Sequence, residues 1–537
     1  MANTFFGLTI AGSGLSASNI SINTTAHNIS NVNTEGYTKQ YANVAPSSSI
    51  RVYSTHGTVG TGVVVNSIDQ LRSSYYDSKF WNNNANYGEY STLERYSLLT
   101  EDYLDEFSLE GFKTEYQNLF NTIMNLTNDP TSEVNRNQFM NYSLSICNYF
   151  NTLAVNLADI QKSANDEVKT TVDAINTKAE QIASLNKQIN VIEINGGDAN
   201  DLRDTRNLLV DELSKYINTS VTEKHLTNGA TEYTVYINDQ ILVDSYSYNT
   251  ILCEARETGD RRNASDIDGL YELSWNNGLI FNVYNSAMRG SLKAAIDVRD
   301  GCNSGYEILG MVNENGEFYQ KDGEVVRVFD LTEDEYNDLL AQGYRKELTT
   351  VVNPYRNSTY KGIPYYQQQI NEFMRTFAGA INSTIKGDDD TVIDFFTNVY
   401  GESYISAANA TVNPEIVKDL SLLPNSYDPT QGAANVDMVT ALYKLKDEKI
   451  LNNGTFSEYL STIVSVIGID TKRAGTFSEN YDNIKSTVEN QRLSICGVDE
   501  DEEAVDLVKF KEAYNLSSKV ISIMQQIYSK LIEETGL

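Results

Sequence analysis

The chain has 537 residues, with 41 lysines and arginines against 73 aspartates and glutamates, so its formal net charge is -32 at pH 7. This balance argues against nucleic acid or an anionic membrane surface as a partner, because both attract clustered cations. The hydrophobic fraction of 40% supports sizeable buried cores, and this length implies several domains at about 100–200 residues each.

The N-terminal segment predicts a helix that needs a partner. Residues 1–34 carry no Asp, Glu, Lys or Arg, and Leu8, Leu15, Ile22 and Ile29 follow one another at intervals of seven, with Ala11, Ser18 and Thr25 between them. This spacing is typical of a helix with a narrow apolar stripe. The remaining positions are mostly Ser, Asn, Thr and Gly, which form helices poorly. The segment also lacks the basic start and compact apolar run of a cleaved secretory signal.

A long helix is predicted after Asp129–Pro130, a pair that often starts helices. Apolar residues recur at helical spacing over residues 135–195 without Pro or Gly, and the pattern stops at Gly196. At 1.5 Å per residue, such a helix is about 90 Å long, which is typical of a rod. A second, shorter helix is predicted over residues 201–217.

From residue 219 the hydrophobic pattern changes to a period of two residues, which predicts strands. Asn277–Gly278 is typical of a hairpin turn. We expect a β domain over residues 218–302, followed by a small inserted α+β module over residues 303–362. In this module Thr332 and Glu335 predict the capping box of a short helix.

The C-terminal part of the chain is again predicted to be helical, ending in a coiled-coil seam. Apolar and aromatic residues alternate there at spacings of three and four. We expect this seam to pack against the N-terminal helix, so that the two ends of the chain meet. The predicted helices span residues 363–385, 434–451, 455–468 and 474–493, and the seam consists of Leu507, Phe510, Tyr514, Ser517, Ile521, Met524, Tyr528 and Leu531.

The expected fold is therefore mainly α with an inserted, outward-projecting β module, elongated and multidomain. Residues 1–40 with 498–537 would form a terminal coiled-coil domain for assembly. Residues 41–217 with 363–497 would form long-helix rod domains that carry the two inserted modules.

Patterns of catalytic or metal chemistry are missing from the sequence. The three histidines have no second metal ligand at helical spacing, and the four cysteines are too far apart to indicate a zinc site or a disulfide framework. We therefore expect no enzyme activity, no catalytic residue, no bound metal and no cofactor.

Both ends of the chain resemble known signatures. Residues 27–40, HNISNVNTEGYTKQ, resemble the N-terminal signature of flagellar axial proteins (rod, hook and hook-associated proteins), and residues 497–514 resemble their C-terminal signature. Stretches at 59–81, 201–217 and 288–300 are similar to the family of the first hook-associated protein, FlgK. The likeness weakens over residues 305–354 and 388–429. In addition, the N-terminal stripe is rich in Ser, Asn and Thr where the family has Ala and Gln.

This resemblance implies a structural protein that joins the flagellar hook to the filament outside the cell. It implies export through the flagellar type III channel and assembly as a homo-oligomeric ring. The partners would be hook protein on one side, the second hook-associated protein on the other, and an export chaperone on the C-terminal region.

The assembly interface is expected at the two termini. The asparagines between His27 and Tyr37 cap helices or adopt left-handed conformations, and Gly36 permits a tight turn. These residues would form either an internal turn or a contact between subunits, and the sequence leaves both open. The predicted interface residues are Leu8, Leu15, Ile22, His27, Asn28, Ile29, Asn31, Asn33, Gly36 and Tyr37, together with Leu507, Phe510, Tyr514, Ile521, Met524, Tyr528 and Leu531.

Two other classes stay open at this stage. Another axial protein, such as a hook, rod or second junction protein, would share both ends but should lack the long helix and the 201–217 segment. An adhesin or hydrolase on the filament surface would carry its site on the β domain.

Overall fold

The computed structural model describes residues 6–52, 57–108, 111–227, 229–352, 358–389, 391–399, 404–428, 430, 435–452 and 454–535. Within these residues the chain is mainly helical with small antiparallel sheets, which confirms the mainly α class. The elongated shape and the terminal coiled coil stay predictions.

The described helices differ widely in length, and four of them have 35 or more residues. They are α1 (Phe6–Ser30), α2 (Ser74–Ser108), α3 (Gly111–Asn128), α4 (Glu133–Ile194), α5 (Asn200–Tyr216), α6 (Ser291–Asp300), α7 (Glu333–Ala341), α8 (Ile363–Lys386), α9 (Pro414–Lys418), α10 (Asp437–Lys444), α11 (Phe456–Cys496) and α12 (Glu500–Thr535).

Helix α4 confirms the long helix predicted from the sequence. It runs without interruption for 62 residues. Its fully buried residues, such as Ile146, Phe150 and Leu157, recur at helical spacing. Just beyond its end, Gly196 has a φ of +81°, a left-handed conformation that favours glycine after a helix.

Helix α11 corrects the prediction of two helices over 455–468 and 474–493. It is one helix of 41 residues that contains both Gly468 and Gly475. A Cβ atom on Gly475 would lie 3.0 Å from a carboxylate oxygen of Glu94, and one on Gly468 would lie 3.3 Å from a carboxylate oxygen of Glu101. These glycines therefore admit side chains of α2 and do not end the helix. The predicted 434–451 helix is also shorter, because α10 ends at Lys444.

The strands form small sheets in which every pair is antiparallel. The pairs are β1–β4, β2–β3, β8–β9, β10–β13, β11–β12 and β14–β15, and β5, β6 and β7 form a three-stranded sheet in that order. The strands are β1 (Gln40–Pro46), β2 (Ile50–Val52), β3 (Gly57–Val59), β4 (Val63–Gln70), β5 (Thr219–His225), β6 (Thr231–Ile237), β7 (Gln240–Val243), β8 (Ile251–Ala255), β9 (Tyr271–Trp275), β10 (Tyr306–Val312), β11 (Gln320–Lys321), β12 (Glu324–Val325), β13 (Arg345–Val351), β14 (Phe396–Asn398) and β15 (Ala410–Val412).

The strands of the predicted β domain, residues 218–302, do not form one sheet. The β5–β6–β7 sheet is bound by Asn186 of α4, whose amide donates to the carbonyl oxygens of Tyr233 and Asp244. The β8–β9 pair is bound by Asn165, which accepts the N–H of Tyr271. Different parts of α4 thus hold the two sheets. In the inserted module, α7 has the predicted capping box of Thr332 and Glu335.

Contacts between residues divide the chain into two compact units. The first unit contains residues 1–87, 174–250 and 480–537, and the second contains residues 88–173 and 251–479. Helices α1 and α12 therefore both lie in the first unit. The predicted division into four parts stays a prediction.

The second unit has a large aromatic core. The rings of Phe150 and Phe373 stack with their centroids 4.9 Å apart, and Phe377 stacks on Phe373 at 5.8 Å. Stacked and edge-on ring pairs add to the free energy gained by burying aromatic area. Helix α6 is buried along its whole length in this unit. In neither unit does the described chain contain a helix that is both long and apolar enough to cross a membrane.

Candidate assembly site

Helix α1 packs against α12 in the antiparallel direction, so the two ends of the chain meet as the sequence predicts. A Cβ atom on Gly7 would lie 2.6 Å from the Cε atom of Met524, and one on Gly14 would lie 3.1 Å from the Oγ atom of Ser517. These positions are close because glycine has no side chain. Two heptads further along α1, Asn28 meets Glu503, so the three contacts share one register.

The side of α12 that faces α1 is the predicted seam. Its residues are partly buried, whereas the residues of α12 outside it are exposed. There are two exceptions among the latter: Asp506, beside the seam, is partly buried, and Glu503, at the start of the helix, is buried. Leu531 differs from the prediction, because 39% of its surface is exposed. The other seam residues are Leu507, Phe510, Tyr514, Ser517, Ile521, Met524 and Tyr528.

The buried side of α1 differs in part from the prediction, because it is made of small and polar residues. Ala11 and Thr25 of the predicted stripe are buried, whereas Leu8, Leu15, Ile22 and Ile29 are only partly buried. Small side chains allow α12 and the β1–β4 hairpin to approach α1 closely. The hydroxyl of Thr24 costs little to bury, because it donates to the carbonyl of its own helix four residues earlier. The buried residues are Ala11, Ala17, Ser21, Thr24, Thr25 and Asn28.

At the end of α1, every hydrogen-bonding position of the buried Asn28 amide is occupied. Its Nδ2 atom donates to the carbonyl oxygen of Gln40 at 2.8 Å and to Oε2 of Glu503 at 3.0 Å. Its Oδ1 atom accepts from the hydroxyl of Tyr37 at 2.8 Å and from the backbone N–H of Gln40 at 3.1 Å. An amide has two N–H donors and two lone pairs, so Asn28 needs no further partner. For this residue the internal alternative is therefore the one that the structure supports.

Lys39 connects the same turn to the start of α12. Its ammonium group lies 2.8 Å from Glu502 and 3.0 Å from Glu503, and its backbone N–H donates to the carbonyl of Cys496. Although burial lowers the pKa of Lys39, the hydrogen bonds to the two glutamates raise it above its ordinary value. Lys39 therefore stays charged and holds the buried Glu503 carboxylate.

Helix α5 binds the other side of the turn. The backbone N–H and the hydroxyl of Thr38 both donate to the carboxylate of Asp204, at 3.0 and 2.7 Å. Burial raises the pKa of Asp204 to about 6, although the hydrogen bonds from Thr38 and the charge of Arg72 lower it. The side chain of Gln40 donates to Asp201 at 2.8 Å. The 201–217 segment thus holds the N-terminal signature.

The other predicted residues of the turn have separate positions. The side chain of Asn31 donates to the carbonyl of His27 at 3.0 Å, whereas Asn33 is exposed. Gly36 has a φ of +78° and adjoins Leu208. The ring of Tyr37 packs edge-on against His27, and burial raises the pKa of its hydroxyl.

Seven residues of this site were missing from the predicted interface. They are Thr38, Lys39, Gln40, Asp201, Asp204, Glu502 and Glu503. Their partners lie far away along the chain, so local spacing carries no signal for them. Glu502 and Glu503 lie in the first turn of a helix, where the helix dipole favours carboxylates.

A second row of large apolar side chains runs along α12 outside the seam. These side chains are between 42% and 67% exposed. Isolated exposed apolar residues are normal, but several of them on one face of a helix form an apolar surface of the kind at which partners bind. We call it the outer row, and it consists of Val505, Val508, Leu516, Val520, Ile523 and Ile527.

The first unit also contains a polar cavity of about 850 Å³ beside α5. Several of its charged side chains bind one another: Arg72 pairs with Asp77, and Arg203 pairs with both Glu193 and Glu223. Ion-pair networks of this kind also occur as structural elements, so the perturbed charges here do not by themselves indicate a catalytic site.

Comparison with known proteins gives matches along the whole chain. The family model described as flagellar hook-associated protein FlgK helical domain matches residues 99–318, and the flagella basal body rod protein model matches residues 8–38. Flagellar hook-associated protein 1 of Bacillus subtilis is 25% identical, with 100% of this chain and 99% of the relative covered. The protein of that name in Escherichia coli is 24% identical, with 97% and 98% covered.

A solved structure is also similar. It is the flagellar hook junction protein FlgK from Burkholderia pseudomallei, with a TM-score of 0.45 and 13% sequence identity. The alignment covers 77% of this chain and 100% of that chain.

Proposed function

Because the chain belongs to the family of flagellar hook-associated protein 1, FlgK, we propose that it is a structural subunit that joins the flagellar hook to the filament. As a member of this family, the protein is a component of the bacterial flagellum. Two relatives that match over their full length support the proposal, because both are named flagellar hook-associated protein 1. The match of the rod-protein model to residues 8–38, which include most of the N-terminal signature, supports it as well.

The observation that carries the proposal is the outer row of α12. The seam already packs against α1, so the outer row needs a different partner. Full burial of one Val, Leu or Ile side chain contributes about 1.5–3 kcal/mol. We propose that the row packs against the terminal helices of a neighbouring copy in a homo-oligomeric ring, where a closed symmetry repeats the contact in every subunit.

The same termini explain the other proposed partners. We propose that the subunit passes unfolded through the flagellar type III channel, with an export chaperone covering the C-terminal region until assembly. Hook protein would bind on one side of the ring and the second hook-associated protein on the other, outside the cell. The formal charge of -32 supports neither nucleic acid nor membrane as a partner.

The proposal is tested by placing a charge in the outer row. Ile523 is 48% exposed, so Ile523→Asp should leave the fold of the free subunit intact. In the interface between two copies, the new carboxylate at position 523 would be buried without a partner, which costs several kcal/mol. We expect cells that carry this variant, in place of the native protein, to export it and to lose their filaments.

Gln526→Asp is the matched control, because Gln526 is an exposed polar residue on the same helix. We expect it to support normal filaments. Normal filaments with Ile523→Asp would contradict the proposal. Negative-stain images of assembled protein separate the classes further, because a junction subunit should form a short ring or cap, whereas a hook or rod protein should form a long tube.

A further inference from the structure

The contacts between α1 and α12 repeat at intervals of seven residues. Gly7 meets Met524, Gly14 meets Ser517, and Asn28 meets Glu503. Along most of this pair, a small residue of α1 lies opposite a side chain of α12. If α12 shifted by one heptad along α1, small residues of α1 would again lie opposite side chains of α12. This packing by itself therefore favours the observed alignment of the two helices, their register, only weakly over the shifted one.

Asn28 distinguishes the registers strongly. In the observed register its amide makes four hydrogen bonds, one of them to Glu503. A shift of one heptad would place Asn28 opposite Phe510, which has no acceptor for the amide. Glu503 is 1% exposed and would lose the same bond. Buried polar groups without partners are costly, and a single buried Asn is known to fix the register of paired helices.

We propose that Asn28 and Glu503 form a register lock, a pair of positioning residues that selects which heptad of α12 faces α1. Tyr37 and Gln40 orient the Asn28 amide, and Lys39 holds the second oxygen of Glu503. The lock gives the N-terminal signature a structural role within a single chain, which is to fix the register of α1 against α12. The inference does not depend on the proposed role at the hook–filament junction.

Disulfide formation in the full-length monomer reports the register. Gly14→Cys with Ser517→Cys places two thiols together in the observed register, because a Cβ atom on Gly14 would lie 3.1 Å from the Ser517 hydroxyl. Gly14→Cys with Phe510→Cys, or with Met524→Cys, places them together only after a shift of one heptad. Mass spectrometry of the linked peptides identifies each product and separates it from any link to a native cysteine.

With Asn28 present, we expect the product of the first pair alone. With Asn28→Leu added, the ratio of shifted to unshifted product should rise by about tenfold or more. Two further variants should keep the original register. Thr24→Val removes a buried hydroxyl that bonds only within α1, and Glu503→Gln keeps an acceptor for Asn28.

An unchanged product ratio in Asn28→Leu would overturn the proposal. Loss of all three products would overturn it as well, because it would mean that Asn28 serves only to hold the helices together. A shift in the Thr24→Val control would show that any buried polar group of α1 has the same effect, which also contradicts a specific lock.

Discussion

The side chains of Asn28 and Glu503 are joined by a hydrogen bond of 3.0 Å although 475 residues separate them along the chain. The bond connects the N-terminal signature to the first turn of α12. The two segments that resemble the signatures of axial proteins therefore form one structural element. Both side chains are buried, so removal of either one leaves one hydrogen-bonding group of the other unsatisfied.

Asn28→Ala should loosen the terminal helix pair. It removes four hydrogen bonds and leaves buried groups of Gln40 and Glu503 unsatisfied, at about 1–3 kcal/mol for each group. Hydrogen exchange of the monomer should show faster exchange in α1 and α12. Asn33→Ala is the control, because Asn33 is exposed. Equal exchange in both variants would contradict the account of Asn28.

Arg492→Met should strongly destabilise the first unit. The buried Asp211 accepts from Nε1 of Trp81 at 2.6 Å and from Arg492 at 2.7 Å. Loss of the cation leaves a buried carboxylate unpaired, so the free energy of unfolding should fall by about 3–5 kcal/mol. Urea unfolding followed by tryptophan fluorescence measures this. The double variant Arg492→Met with Asp211→Asn should recover part of the loss; a double variant as unstable as the single one would contradict the explanation.

The second unit should lose stability as the pH rises through neutrality. Burial raises the pKa of Glu89 to about 7, and the charge of Asp297 adds to this, whereas Arg289, Lys293 and the N–H of Gly290 lower it. The folded state thus binds this proton more tightly than the unfolded state does. Its contribution is fully present below the ordinary pKa of a glutamate and is lost as the pH passes about 7.

Between about pH 5 and pH 8 this contribution should amount to about 1–3 kcal/mol. Glu89→Gln cannot ionise, so its melting temperature should depend less on pH and should exceed that of the native protein at the upper end of the range. Melting curves of both proteins measured across this range check the prediction. Parallel pH profiles of the two proteins would show that Glu89 does not carry the effect.

Ile521→Asp should detach α12 from α1 and so abolish assembly, without unfolding the rest of the chain. Ile521 lies in the seam, where its burial contributes up to about 1.5–3 kcal/mol and a carboxylate adds a desolvation cost. The aromatic core of the second unit does not involve it. Filament attachment in cells and the melting curve of the purified variant are the two measurements. The neighbouring exposed Ser522→Asp should behave like the native protein. A collapsed melting transition in Ile521→Asp would place α12 in the core of the monomer.

The sequence predicts the parts of this fold that depend on large apolar side chains at regular spacing. The seam of α12 and the length of α4 are examples, because both patterns repeat over many turns. On the buried side of α1, Ser21 and Thr24 were missed because their side chains carry no hydropathy signal. Gly468 was taken as a helix end, although its role is to admit a side chain from α2.

The hydrogen bonds around Asn28 could not be predicted for a different reason. Thr38 meets Asp204 across 166 residues, and Asn28 meets Glu503 across 475. Spacing rules describe neighbours within one helix or hairpin and contain no information on such distant pairs. The terminal seam nevertheless indicated that the two ends meet, and the polar contacts follow from that meeting.

A cryo-electron map of the native hook–filament junction tests the central claim most directly. The account predicts a closed ring of copies of this chain between hook and filament, with Val520, Ile523 and Ile527 of each α12 packed against a neighbouring copy. A junction built from another protein would contradict it, and so would a ring of this chain in which those three side chains face water.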